Sequence, residues 1–208
     1  MAPALANAET QSTFKNLTVE SNGGQALVIG TVAPGSGHVK GTVTVFARAV
    51  GEKGAFTTVA SDVLPASVGN FAILAPLTAG SWEVKVRFED RQQVVASTSH
   101  TVRVTIGAEP NSSIAVTSLN TKGKRFTLAG TTSPPGESGA KIELLMLNTA
   151  AGAPAQFKVF GTASFGTGKT TVTFRGMSAI PRRWELQLEY VRPGEAPSFS
   201  GLTTVSVQ

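Results

Sequence analysis

Cysteine is absent from the 208 residues, which excludes disulfide staples, thiolate nucleophiles and cysteine-ligated metals. Histidine is nearly as scarce. Only His38 and His100 are present, so a catalytic set of nucleophile, base and orienting group would have to form with almost no imidazole. Charged residues make up only 15% of the chain, too few for a disordered polymer. No apolar run approaches the ~18 residues of a helical membrane span. The start, Met1 to Ala8, lacks the basic and apolar regions of a signal peptide, although Ala6-Asn7-Ala8 would suit a processed cleavage site.

What is present describes a turn-rich β protein: 22 glycines, 11 prolines and 41% hydrophobic residues. Gly80-Ser81-Trp82-Glu83-Val84-Lys85-Val86-Arg87-Phe88-Glu89-Asp90 alternates apolar and polar residues with the period of a half-buried strand. Arg183-Trp184-Glu185-Leu186-Gln187-Leu188-Glu189-Tyr190 repeats that pattern and carries the second of the two tryptophans. Gly30-Thr31 and Pro34 likewise answer to Gly130-Thr131 and Pro134, and Val45 to Leu144. A nearly constant offset means two copies of one unit, with insertions confined to loops.

Seven strands are expected in each copy, near 13–20, 25–33, 41–49, 55–63, 69–76, 81–89 and 94–106, then 113–120, 124–132, 140–148, 155–163, 169–176, 183–191 and 199–207. Turns between them are marked by Asn22-Gly23-Gly24, Pro34-Gly35-Ser36-Gly37, Gly51-Glu52-Lys53-Gly54 and Thr78-Ala79-Gly80. Residues 1–12 read as a loose arm, 13–107 and 113–208 as two domains, and 108–112 as a linker too short for free swinging.

The run Gly30-Thr31-Val32-Ala33-Pro34-Gly35, then Val43-Thr44-Val45, Gly69-Asn70-Phe71, Gly80 to Val86 with Asp90, and Ser99 before Val102-Arg103-Val104 resembles bacterial immunoglobulin-like domains. The resemblance covers most of the first half. It is looser in the second, where Thr171-Val172-Thr173-Phe174 replaces the Gly-x-Phe element and Val191-Arg192 stand in place of the Asp. It implies two tandem immunoglobulin-like, seven-stranded antiparallel β-sandwiches, all-β, forming a short stiff rod. Such domains occur in surface adhesins, accessory modules of extracellular enzymes and phage virion proteins. With no leader and no cysteine, the expectation is a virion accessory protein that decorates a capsid or tail. The alternative is a cell-surface or secreted adhesin or carbohydrate-binding module. Partners would be other virion or surface subunits, and no enzymatic activity or cofactor is expected.

Several motifs compete for a functional role. Ala163-Ser164-Phe165-Gly166-Thr167-Gly168-Lys169-Thr170 satisfies a permissive phosphate-loop pattern. That loop works by opening a helix, whereas the residues after it alternate as a strand, so a hairpin turn is expected. His38 falls in a loop, and His100 at a strand end with a local hydrogen bond. Glu89-Asp90 falls short of the oxygens calcium needs, and no cluster suits a transition metal.

Charge is the stronger signal, because the net +5 divides into +1 for residues 1–108 and +4 for 109–208. Lys122, Lys124 and Arg125 occupy the first turn of the second unit, and Arg182 and Arg183 the entry to its sixth strand. Alternating strand directions put these at one end, beside Thr149 to Ala153. In a rod that end is the free tip, suited to acidic polysaccharide, lipopolysaccharide or an acidic protein surface. Nucleic acid is disfavoured, since those turns carry no aromatics to stack bases. Phe46 and Leu145, at equivalent positions, have outward parity and form a candidate packing surface.

Overall fold

The computed structural model describes residues 13–33, 40–65, 69–90, 96–150, 153–177 and 182–207. Every regular element among them is a strand. The first half contains β1 (Thr13–Asn22), β2 (Gln25–Ala33), β3 (Gly41–Ala49), β4 (Thr57–Leu64), β5 (Asn70–Ala75), β6 (Gly80–Asp90), β7 (Ser97–Thr98) and β8 (Val102–Ile106). The second contains β9 (Ser113–Lys122), β10 (Arg125–Ser133), β11 (Lys141–Asn148), β12 (Lys158–Ser164), β13 (Thr171–Met177), β14 (Arg182–Val191), β15 (Ser198–Phe199) and β16 (Thr203–Val207). The arm at 1–12 and the turn holding Pro34 and His38 lie outside the described residues.

Each half is an immunoglobulin-like sandwich of two antiparallel sheets. β1-β2-β5 faces β4-β3-β6 with β7 and β8 on the far side of β6, and β9-β10-β13 faces β12-β11-β14 with β15 and β16. The inward residues of β3 and β6, namely Val43, Val45, Val84, Val86 and Phe88, are buried, as are Ile142, Leu144, Leu186, Leu188 and Tyr190 in the other half. The strand alternation read from sequence thus fills one core per half. The two tryptophans sit at the rims of these cores and are only partly buried, with the Trp82 indole donating to the Thr78 carbonyl at 2.9 Å.

The expected seventh strand is interrupted in both copies, and the break explains a repeated serine. Ser99 pairs with Val86 through its own backbone N–H, and its hydroxyl accepts from the Val86 N–H at 2.9 Å. Ser200 does the same for Leu188, also at 2.9 Å. A side-chain oxygen supplies the ladder partner that the departing backbone no longer provides. The repeated Gly-Thr pair has a steric cause. A Cβ on Gly30 would come within 2.8 Å of the Phe71 ring, and one on Gly130 within 2.5 Å of Leu188 Cδ1.

The expected hairpin at 164–170 is a crossover between sheets, since β12 pairs with β11 while β13 pairs with β10. Phe165 is buried in the second core at an edge angle to Tyr190, and Gly136 fastens the loop by donating its N–H to the Lys169 carbonyl and accepting from the Gly168 N–H. A strand follows it, so the helix that phosphate binding requires does not form.

The expected rod does not form, because the halves lie side by side. Ala26, Leu27, Val28 and Ile29 of β2 are all buried, although only alternate residues can reach one core. Leu27 and Ile29, with Ala72 and Leu74 of β5, pack on Leu147, Ala155, Phe157 and Leu202 of the second half. In a rod these side chains would face water, and their burial is what turns the second half back along the first.

Polar bonds fasten both ends of this contact. Asn22 and Gln187, both buried, donate to each other's amide oxygens at 3.2 and 3.1 Å. The Asn70 amide donates to the carbonyls of Asn148, Ala150 and Ala153, while its oxygen accepts the Thr31 hydroxyl at 2.7 Å. The Gly69 and Asn70 N–H groups both reach the Thr149 carbonyl. The turn assigned to a free tip is therefore docked on the first half.

Candidate partner-binding surface

The β9–β10 turn reverses through Gly123, whose φ of 57° lies in the left-handed region. It leaves Lys122, Lys124 and Arg125 exposed at the end of the second half. Arg125 pairs across the sheet with Lys122 on one side and with Met177 on the other. Directly opposed residues share a face, so Lys122, Arg125 and Met177 form one outward row. Arg175, opposite Thr127, adds a cation on the same face.

The other two predicted cations are placed differently. Arg182 opens β14 at this end of the sandwich, and its side chain is outside the described residues. Arg183 turns toward the first half. Its guanidinium meets Glu185 at 3.1 Å, and both line a shallow cleft of about 330 Å³ with Asp62, Leu74 and Leu202. Glu185 is buried, and that burial raises its pKa above the usual carboxylate value against the opposing pull of the Thr204 hydroxyl and Arg183.

Sequence parity overlooked part of the surface beside the three exposed turn cations. Val159, Phe160 and Met177 are 55%, 48% and 62% exposed. Val159 pairs with Leu145 and Gly161 with Leu144, so Phe160 is an extra residue in a bulge. The bulge breaks the alternation and swings Phe160 to the open edge. There it meets Phe126, with ring centroids 6.0 Å apart, and lies against Gly176, next to Met177. Lys158 is exposed beside them. The legible sign was Phe157-Lys158-Val159-Phe160, whose adjacent apolar pair no regular half-buried strand accommodates.

Phe46 and Leu145 occupy equivalent positions with different surroundings. Leu145 lines a cleft of about 540 Å³ between the halves, together with Thr18, Glu20, Leu27, Ile29, Phe157 and Phe199. Phe46 lies half-buried on the outer face of the first half, among charges. Glu83 there bonds Arg48 at 2.6 Å and Arg103 at 3.1 Å, and both Arg48 and Lys85 stand 4.5 Å from the centre of the Phe56 ring. The Arg48 and Arg103 bonds hold the Glu83 carboxyl below its usual pKa. Among the described residues there is no group of three or more metal-binding side chains, and His100 is exposed at the break between β7 and β8.

No family model matches the chain, and no curated protein matches it in sequence. Solved structures do. A biofilm-associated protein BSP domain is 14% identical over 94% of this chain and 29% of its own, with a TM-score of 0.36. Dimeric latent PorU from Porphyromonas gingivalis is 12% identical over 99% and 21%, with a TM-score of 0.40. Red sea bream transglutaminase is 17% identical over 98% and 32%, with a TM-score of 0.31. The chain spans less than a third of each of these.

Proposed function

We propose that the chain is a non-enzymatic structural module that decorates a larger assembly, the capsid or tail of a phage virion. The observation behind this reading is the joint between the halves, where Asn22, Gln187 and Asn70 flank a buried layer of Leu27, Ile29 and Leu147. Two sandwiches fastened in this way hold a docked face and an exposed face at a fixed separation. That is the property a decoration protein needs. The motif resemblance to immunoglobulin-like domains of virion and surface proteins supports the same setting.

Lys122, Lys124, Arg125 and Arg182 are the proposed partner-facing residues, with Arg183 behind them in its pair with Glu185. Their partners are other virion subunits or an acidic host surface, reached through a salt-sensitive attraction. Negative-stain imaging of particles made with and without the protein tests the reading. Density missing from the capsid or tail of the deletion particles is expected. Unchanged particles, with the protein recovered from the cell envelope or medium, would instead assign it to a bacterial surface.

A further inference from the structure

The corner where β12, β13 and the β9–β10 turn meet combines two properties that rarely coincide. Val159, Phe160 and Met177 are among the most exposed large apolar side chains described. Lys122 and Arg125 stand in one cross-strand row with Met177, Arg175 lies on the same face, Lys158 precedes Val159 and Phe160 in β12, and none of these cations, nor Lys124, makes an ion pair among the described residues. The acids of this half lie elsewhere: Glu137 and Glu195 pair with Arg192, Glu143 with Lys141 and Glu185 with Arg183, Glu189 stands opposite Glu143 in the β11–β14 ladder, and Glu109 lies against Gly24 of the first half. The corner therefore sets Met177 and Phe160 beside unpaired cations, with Val159 exposed on the neighbouring face of β12, and holds no compensating carboxylate among the described residues.

We infer that this corner docks on the anionic surface of a lipid bilayer. An isolated apolar patch would serve any hydrophobic partner, and an isolated basic patch any polyanion. Their combination matches an interface with phosphate charge at its surface and hydrocarbon a few ångströms below it. Lys and Arg reach the headgroups with their charged ends while their methylene stems accompany the apolar side chains inward. The bulge serves this geometry by turning Phe160 out at the edge, where it rests against Gly176 of β13 and keeps about half of its surface exposed. The inference concerns this corner alone and holds on whatever particle or surface the chain resides.

Co-sedimentation of the full chain with vesicles tests it. Binding is expected to mixed phosphatidylglycerol–phosphatidylcholine vesicles and not to phosphatidylcholine alone. Raising salt from about 0.1 M to about 1 M shortens the Debye length from ~10 to ~3 Å and should weaken binding strongly. The variant K122S/K124S/R125S should lose about a hundredfold in affinity. V159S/M177S keeps every charge and alters only exposed side chains, and it should lose about tenfold. Circular dichroism and Tm matching the parent would show that both variants are folded, and the single change Met177→Ser gives a milder second reading. Equal binding to both vesicle types, or to neither, would overturn the inference. Undiminished binding by V159S/M177S, with full displacement by a soluble acidic polysaccharide, would also overturn it and leave a polyanion site.

Discussion

Asn70 illustrates how much one residue of a repeated motif can be diverted to a local task. Within Gly69-Asn70-Phe71, Phe71 fills the first core, while the Asn70 amide holds three carbonyls of the opposite half. Replacing Asn70 by Ala leaves buried acceptors and the Thr31 hydroxyl without their partner. We expect a loss of about 2–3 kcal/mol in urea unfolding. Asn70→Asp, which keeps the shape but cannot donate, should be no better. Glu185 carries a prediction about pH. Burial raises its folded pKa, so on acidification the folded state takes up its proton before the unfolded chain does. Stability from this group is therefore greatest at low pH and is lost as pH rises from the ordinary carboxylate value through the raised one. Subtracting the thermal-melt profile of Glu185→Gln from that of the parent should isolate this slope. The subtraction matters because Glu83, whose pKa is lowered, acts with the opposite sign, its contribution being lost as pH falls.

At the scale of elements, the two copies show which parts of the pattern serve the sandwich and which serve the site. Ser99 and Ser200 keep one role in both, closing the ladder where the last strand breaks. Ser200 is the more buried, so Ser200→Ala should cost about 1–3 kcal/mol, by leaving the Leu188 N–H unpaired. Hydrogen exchange at Leu188 should accelerate in that variant. The outer faces of β6 and β14 diverge: Glu83, Lys85 and Arg87 in the first copy answer to Glu185, Gln187 and Glu189 in the second. The first set supports ion pairs and a cation–π contact in water, whereas in the second Gln187 is fully buried beneath the other half. The sequence difference at Lys85 and Gln187 is the visible trace of that burial, since an amide can be satisfied inside by Asn22 and the Ser200 carbonyl, and an ammonium is costly there.

For the whole molecule, side-by-side packing sets the measurable shape. A chain of this length folded as one compact body has a radius of gyration of about 17 Å, and solution scattering should lie close to it and well below the value for two sandwiches end to end. A double-mutant cycle on Asn22→Ala and Gln187→Ala should show coupling of about 0.5–3 kcal/mol, because each residue is the other's reciprocal partner. Additive losses would mean that this reciprocal pair does not form in solution. The sequence by itself determined the strands, the duplication and the two cores, because alternation with period two and turn residues act locally and repeat. It also located the turn cations Lys122, Lys124 and Arg125. Only the tertiary structure decided which outer faces meet. Burial of Leu27 and Ile29 depends on Leu147, more than a hundred residues away in the chain, and the apolar–cationic corner exists because a bulge in β12 brings Phe160 to the edge of β13. Both depend on contacts between segments whose local patterns carry no record of one another.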